Sequence, residues 1–102
     1  MAIASTNLIK SIKVNVDIEH TFIGDLIITL LPPEQTGVLP VILHDRQGGA
    51  TDNIKTTYDE INTLKLAAFK GKNPQGTWTL EVADKAEGDT GKIRSFTIEM
   101  GF

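Results

Sequence analysis

The densest run of chemically capable side chains is the segment 84–91, Asp84-Lys85-Ala86-Glu87-Gly88-Asp89-Thr90-Gly91. It places three carboxylates within six residues, flanked by glycines. Carboxylates this close repel unless water spreads them or a cation neutralises them. Calcium takes six to eight oxygen ligands, loop carbonyls among them. The segment therefore reads either as a solvated hairpin loop or as part of a calcium site built around Asp84 and Asp89. It is not an EF-hand, because the Asp-x-Asp-x-Asp-Gly register and its closing Glu are absent. Asp25, Asp52 and Asn53 are co-ligands if their loops meet it at one end of the fold. Asp25 follows Gly24 where a loop enters an apolar strand, so capping of loop N–H groups is its competing role. A glycine at position 24 permits a backbone turn or a close approach that a Cβ would block.

Other chemistry is poorly provided for. His20 and His44 are the only histidines and Ser5, Ser11 and Ser95 the only serines, none of them in a Gly-x-Ser-x-Gly elbow. A Ser-His-Asp triad would have to be assembled from two tail positions or a strand interior. A Walker loop, a dinucleotide fingerprint and a His-Glu-x-x-His zinc motif are all missing. With no cysteine, disulfides, thiolate zinc sites and a Cys nucleophile are excluded. No catalytic residue is assigned. Trp78 alternates with Leu80 and Val82, so it belongs in a core rather than on a sugar-binding platform.

The elements that would position these loops are strands, because the apolar period is two. Ile12, Val14, Val16 and Ile18 alternate with Lys13, Asn15 and Asp17, giving a half-buried strand. Leu26–Leu31 is apolar on both parities, as in a central strand covered on both faces, and Pro32-Pro33 ends it. A second strand spans 38–43, with Pro40 marking an edge or a bulge. The stretch 45–58 reads as loop, and 58–69 as irregular chain with one short strand at most. Asn73-Pro74-Gln75-Gly76 has the composition of a type I turn. Strands over 77–82 and 94–100 follow, with Trp78, Leu80, Val82, Phe96, Ile98 and Met100 inward; Ile93 is out of phase with Phe96, predicting a bulge near Arg94. Six to eight short strands at this spacing predict an all-β, antiparallel sandwich.

The 102 residues suffice for one domain with one core. We take residues 1–11 as an N-terminal tail and 12–102 as the domain. The net charge of −3, with no two basic residues adjacent, disfavours nucleic acid and membrane surfaces as partners. No apolar run approaches the ~20 residues of a membrane-spanning helix, and residues 1–7 lack the pattern of a signal peptide.

Three segments in order carry a family resemblance. They are His20-Thr21-Phe22-Ile23-Gly24-Asp25-Leu26-Ile27-Ile28-Thr29-Leu30 with Pro32-Pro33; Gly71 through Gly76-Thr77-Trp78-Thr79-Leu80-Glu81-Val82 and Asp84; and Gly88-Asp89-Thr90-Gly91 running into Ser95-Phe96-Thr97-Ile98. Gly48-Gly49-Ala50-Thr51-Asp52-Asn53 lies between the first two. Together, over 12–102, they resemble the P domain (P/Homo B domain) of subtilisin-like proprotein convertases and bacterial calcium-dependent proteases. The resemblance implies a jelly-roll, galactose-binding-like sandwich. It implies a non-catalytic C-terminal accessory domain of a secreted or periplasmic subtilisin-like serine endopeptidase. Such a domain supports the folding, stability and calcium dependence of the catalytic domain, which is its partner in the same chain, and calcium in the domain itself occurs in bacterial members. Phe22, Ile23 and Leu39 are the residues suggested for that contact. The competing function is a standalone binding module for a surface polymer, collagen or glycan, which predicts an exposed aromatic or polar patch.

Overall fold

The computed structural model describes residues 2–20, 23–49, 52–84 and 91–102, with backbone alone at Asp25, Asp84, Gly91 and Lys92. Eight strands follow in chain order: β1 (Ala2–Ile3), β2 (Ser11–His20), β3 (Leu26–Leu31), β4 (Val41–Asp45), β5 (Ile54–Asp59), β6 (Gly76–Thr77), β7 (Thr79–Asp84) and β8 (Gly91–Gly101). They form two three-stranded antiparallel sheets, β5-β2-β8 and β4-β3-β7, and a small β1-β6 ribbon. The chain crosses from one main sheet to the other after β2, after β4, after β5 by way of β6, and after β7, so the sandwich is wound as a jelly roll.

Strict alternation makes β2 the centre of its sheet. Ile12, Val14, Val16, Ile18 and His20 are buried, while Lys13, Asn15, Asp17 and Glu19 face outward. The opposing surface comes from Leu26, Ile28 and Leu30 of β3, all at most 1% exposed. Each such aliphatic side chain contributes about 1.5–3 kcal/mol when fully buried. Trp78 sits at the junction of β6 and β7, fully buried, 5.0 Å from the Phe69 ring centroid and tilted by 59°. Its indole N–H donates to the Pro74 carbonyl at 2.8 Å, so the buried polar edge of the ring is satisfied. Ile9 is also buried, its amide donating to Lys72 O at 3.0 Å.

The predicted bulge is present. Asp17 pairs with Ser95 and Ile18 with Ile93, leaving Arg94 as the extra residue. The bulge turns Arg94 toward the outer face, where its guanidinium lies 3.8 Å from Asp17 and 3.4 Å from Glu19. Such exposed pairs are worth about 0–1 kcal/mol.

Several expectations are corrected. The stretch 45–58 is not all loop, because β5 occupies Ile54–Asp59 and pairs with β2 from Lys13↔Asp59 to Ile18↔Ile54. As an edge strand it buries only Ile54 fully, so it shows no alternation. Strand β4 starts at Val41, after Pro40, since a proline without N–H is poorly placed in a ladder. β3 is covered on one face only, with Ile27, Thr29 and Leu31 half-buried outside. The stretch 58–69 ends in a 3-10 helix, Leu64–Phe69, whose three-residue turn buries Leu66 and Phe69 together. Leu64 and Ile61 are 77% and 86% exposed.

Candidate functional site

The β2–β3 connection is only five residues, so the C-terminal end of β2 and the start of β3 share one pole of the sandwich. The ends of β4 and β7 and the starts of β5 and β8 join them there. Three connections converge at this pole, and they carry the five residues suggested for calcium.

The backbone between them is closely tied. The Gly24 amide donates to Gly49 O at 2.9 Å, and the Arg46 amide, with Arg46 at φ 53, donates to Leu26 O at 2.8 Å. Asn53 adopts φ 63, a left-handed conformation that asparagine tolerates. Its amide donates to His20 O at 2.8 Å, and its side-chain Oδ1 accepts from the His20 amide at 3.0 Å. Asn53 thereby latches the β4–β5 connection to the end of β2. His44 is buried, its Nε2 2.9 Å from Ile23 O.

Pairing of Leu26 with Asp84 places Asp84 across from the first residue of β3, next in sequence to Asp25. Pairing of His20 with Gly91 returns the chain beside the Asn53 latch. Topology therefore brings the backbone positions of Asp25, Asn53 and Asp84 to one pole, with Asp52 exposed beside Asn53. Asp89 lies outside the described residues. Asp45, at the end of β4 opposite Ile27, is a further exposed acidic residue of this pole that the sequence reading left out. Every candidate ligand offers a hard oxygen, which suits calcium or magnesium rather than zinc. Among the described residues no three acidic, histidine or cysteine side chains come together as a metal cluster, so the described part alone does not form a calcium cage.

Ser5 and Ser11 stand at the opposite pole from both histidines, where Ser11 Oγ accepts from the Gly101 amide at 3.1 Å and Ser5 Oγ from the Asn7 amide at 3.2 Å. Ser95 lies on the outer face of β8, paired with Asp17.

The opposite pole has a different character. Residues 37–41 and the 3-10 helix enclose a groove of about 520 Å³ lined by Gly37, Val38, Leu39, Pro40, Val41, Lys65, Ala68 and Lys72. Leu39 is 82% exposed there. Of the other two residues suggested for a partner contact, Ile23 is corrected to a core residue at 8% exposure, and Phe22 lies outside the described residues. Nearby, Asp59 accepts hydrogen bonds from the amides of Ile61 and Asn62, both at 2.9 Å. The bond from Asn62, then that from Ile61, with Lys13 adding charge attraction, holds its carboxyl below the usual carboxylate range. Burial pushes the neighbouring Tyr58 hydroxyl up.

The chain is 72% identical over all 102 residues to the "Calcium-dependent protease" of Trichormus variabilis, and equally to that of Nostoc sp.; it spans 15% of each. It is 38% identical over 86 residues to "Leupeptin-inactivating enzyme 1" of Streptomyces exfoliatus, covering 84% of this chain and 17% of that protein. The fold matches the crystal structure of a serine protease of Aeromonas sobria with a TM-score of 0.66 at 21% identity, over 98% of this chain and 22% of that one. The chain thus spans a small part of the length of these relatives. The sequence profile of the "Proprotein convertase P-domain" matches residues 9–100. By this match over nearly its whole length, the chain belongs to the proprotein convertase P-domain family.

Proposed function

We propose that the chain is the non-catalytic, C-terminal accessory domain of a secreted or periplasmic subtilisin-like serine endopeptidase, and that it supports the folding, stability and calcium dependence of that enzyme's catalytic domain. One observation carries the reading. The whole of this chain matches, at 72% identity, only 15% of relatives named calcium-dependent protease. A self-contained core of this size attached to a much larger chain acts by linkage. Whatever binds the folded catalytic domain and not its unfolded form stabilises it. Calcium bound between the connections of the acidic pole, by Asp25, Asp52, Asn53, Asp84 and Asp89, would tie both sheets together and make that support depend on the ion.

Two aromatic side chains that a sugar-binding surface would need, Trp78 and Phe69, are sealed in the core. The test is to express the parent protease with and without this domain. Loss of soluble, active enzyme, or a Tm lower by several degrees on deletion, is expected. A deletion variant that folds, cleaves and melts like the intact protease overturns the reading.

A further inference from the structure

The exposed large apolar residues are not spread evenly. Of the seven among the described residues, Leu8, Leu39, Ile61, Leu64 and Phe102, 45–86% exposed, belong to the pole opposite the acidic connections, and only Ile42 of β4 and Ile93 of β8, 46% and 42% exposed, lie elsewhere. That pole contains the 32–40 and 60–75 connections, the start of β2 and the end of β8. The groove between 37–41 and the 3-10 helix lies there, with Val38, Leu39, Pro40 and Ala68 as its apolar lining. A small domain rarely leaves such a patch open without a use for it. Charge sets the groove apart as well. Lys65 and Lys72 line it, in a chain whose net charge is −3, while Lys70 of the same pole is paired with Glu60 at 3.2 Å.

The course of the backbone says what covers this patch. The Ile9 amide donates to Lys72 O at 3.0 Å, the Gly71 amide to Ile9 O at 2.7 Å, and the Lys10 amide to Gly101 O at 2.7 Å. The chain at residues 9–10 thus lies between the groove-lining residue Lys72 and the last strand residue, Gly101. The first strand, Ala2–Ile3, pairs with β6 directly after the 60–75 connection, so polypeptide continuing from either end starts close to this pole. A tethered neighbour is held at an effective concentration of about millimolar for a short linker, so a modest patch suffices to seat it. The outer face of the β5-β2-β8 sheet has no such need. Its side chains satisfy one another, as in the Thr57–Asn15–Thr97 row bonded at 2.5 and 3.1 Å, and Arg94 with Asp17 and Glu19.

We propose that the groove formed by residues 37–41, Lys65, Ala68 and Lys72 seats the catalytic domain of the parent chain, which presents to it an apolar side chain flanked by carboxylates. This rests on the accessory-domain reading and adds the face that makes the contact. Leu39 is its apolar centre, and Lys65 and Lys72 select an acidic rim. The acidic pole is left facing away, open to solvent and cations.

The test uses the intact parent protease and the 102-residue chain side by side. Hydrogen exchange at 37–41 and 64–72 should be slower in the parent by about tenfold or more. Exchange in the outer-face residues 13–17 should be the same in both. Leu39→Glu and Leu64→Glu in the parent should lower its Tm toward that of the domain-deleted protease, while Ile93→Glu, remote from the groove, should not. Leu39→Glu in the 102-residue chain should leave its own Tm unchanged, since the side chain is outside the core. Equal exchange at the groove in parent and chain, with deletion still destabilising, overturns the groove assignment and leaves the accessory role standing. A groove protected instead in a concentration-dependent dimer of the 102-residue chain overturns it in favour of a second copy. Deletion without any effect on the protease removes the accessory reading itself.

Discussion

The amide of Gly24 donates to the carbonyl of Gly49 at 2.9 Å, and a Cβ built on Gly24 would stand 2.8 Å from that same oxygen and 2.9 Å from Gly49 Cα. Both contacts are with backbone, which cannot swing aside as a side-chain tip can. The glycine is thus required by an approach between two connections, not by its own dihedral angles. Gly24→Ala should destabilise the domain by about 1–3 kcal/mol, the usual cost of overpacking. Denaturant unfolding with an unchanged m-value measures it. A variant as stable as the wild type would mean that the two connections are not held together.

Trp78 makes a comparable prediction inside the core. Its ring packs on Phe69, and its N–H is bonded to Pro74 O at 2.8 Å, fixing the 73–76 turn to the body of the sandwich. Trp78→Phe removes the donor and part of the volume. A loss of about 2–4 kcal/mol is expected from the cavity and the unpaired carbonyl together. Trp78→Phe should also quench the signature of a fully buried indole in the native fluorescence spectrum. Chemical unfolding monitored by circular dichroism decides whether the stability term is of that size.

How far the sequence reveals this protein depends on how many of a strand's faces are buried. β2 is legible because its inward residues from Ile12 to Ile18 are apolar and its outward ones polar, and the Arg94 bulge is legible because Ile93 and Phe96 are out of phase with one another. β5 is not, since an edge strand with one fully buried residue has no period to read. The 3-10 helix hides for a related reason: its buried pair, Leu66 and Phe69, has a spacing of three, while Ile61 and Leu64 were apolar but exposed. At the acidic pole the residue types announced hard-oxygen chemistry. The Leu26↔Asp84 pairing and the Asn53–His20 latch depend on register between distant strands, which composition does not encode. The groove at the other pole was represented in the sequence reading by Leu39 alone.

Asp59 gives a pH-dependent prediction. Its carboxylate accepts from the Asn62 and Ile61 amides, and Asn62 in return accepts from the Asp59 amide at 2.9 Å. The folded-state pKa is lowered, first by the bond from Asn62. At moderately acidic pH the unfolded chain then binds more protons at this residue than the folded one. Its stabilising contribution is present above the ordinary carboxylate pKa and is lost as pH falls through the lower folded value. Asp59→Asn should therefore be less stable than wild type at neutral pH, with the two converging in acid. Thermal unfolding across the acid range checks this, and a stability difference that stays constant with pH would contradict it.

The acidic pole yields the last prediction. The β3–β7 register sets Asp84 opposite Leu26, which follows Asp25 in sequence; Asn53 and Asp52 are held beside the end of β2; and β7 and β8, consecutive strands, belong to different sheets. An ion bridging these connections would join both sheets and would bind only the folded chain. Stabilisation then grows as RT ln(1 + [L]/Kd), about 2.7 kcal/mol at a hundredfold excess over Kd. For a domain of this length that corresponds to a Tm rise of about 10 °C or more with calcium over EDTA. The rise should be lost in Asp89→Ala and in Asp84→Asn, and magnesium should reproduce little of it, because its strict octahedral shell is harder to assemble from connecting loops. In Gly24→Ala, which disturbs the pole without removing a ligand, the rise should be reduced rather than abolished. Identical melting in calcium and EDTA would make 84–91 a solvated hairpin and place any calcium dependence of the parent protease in its catalytic domain.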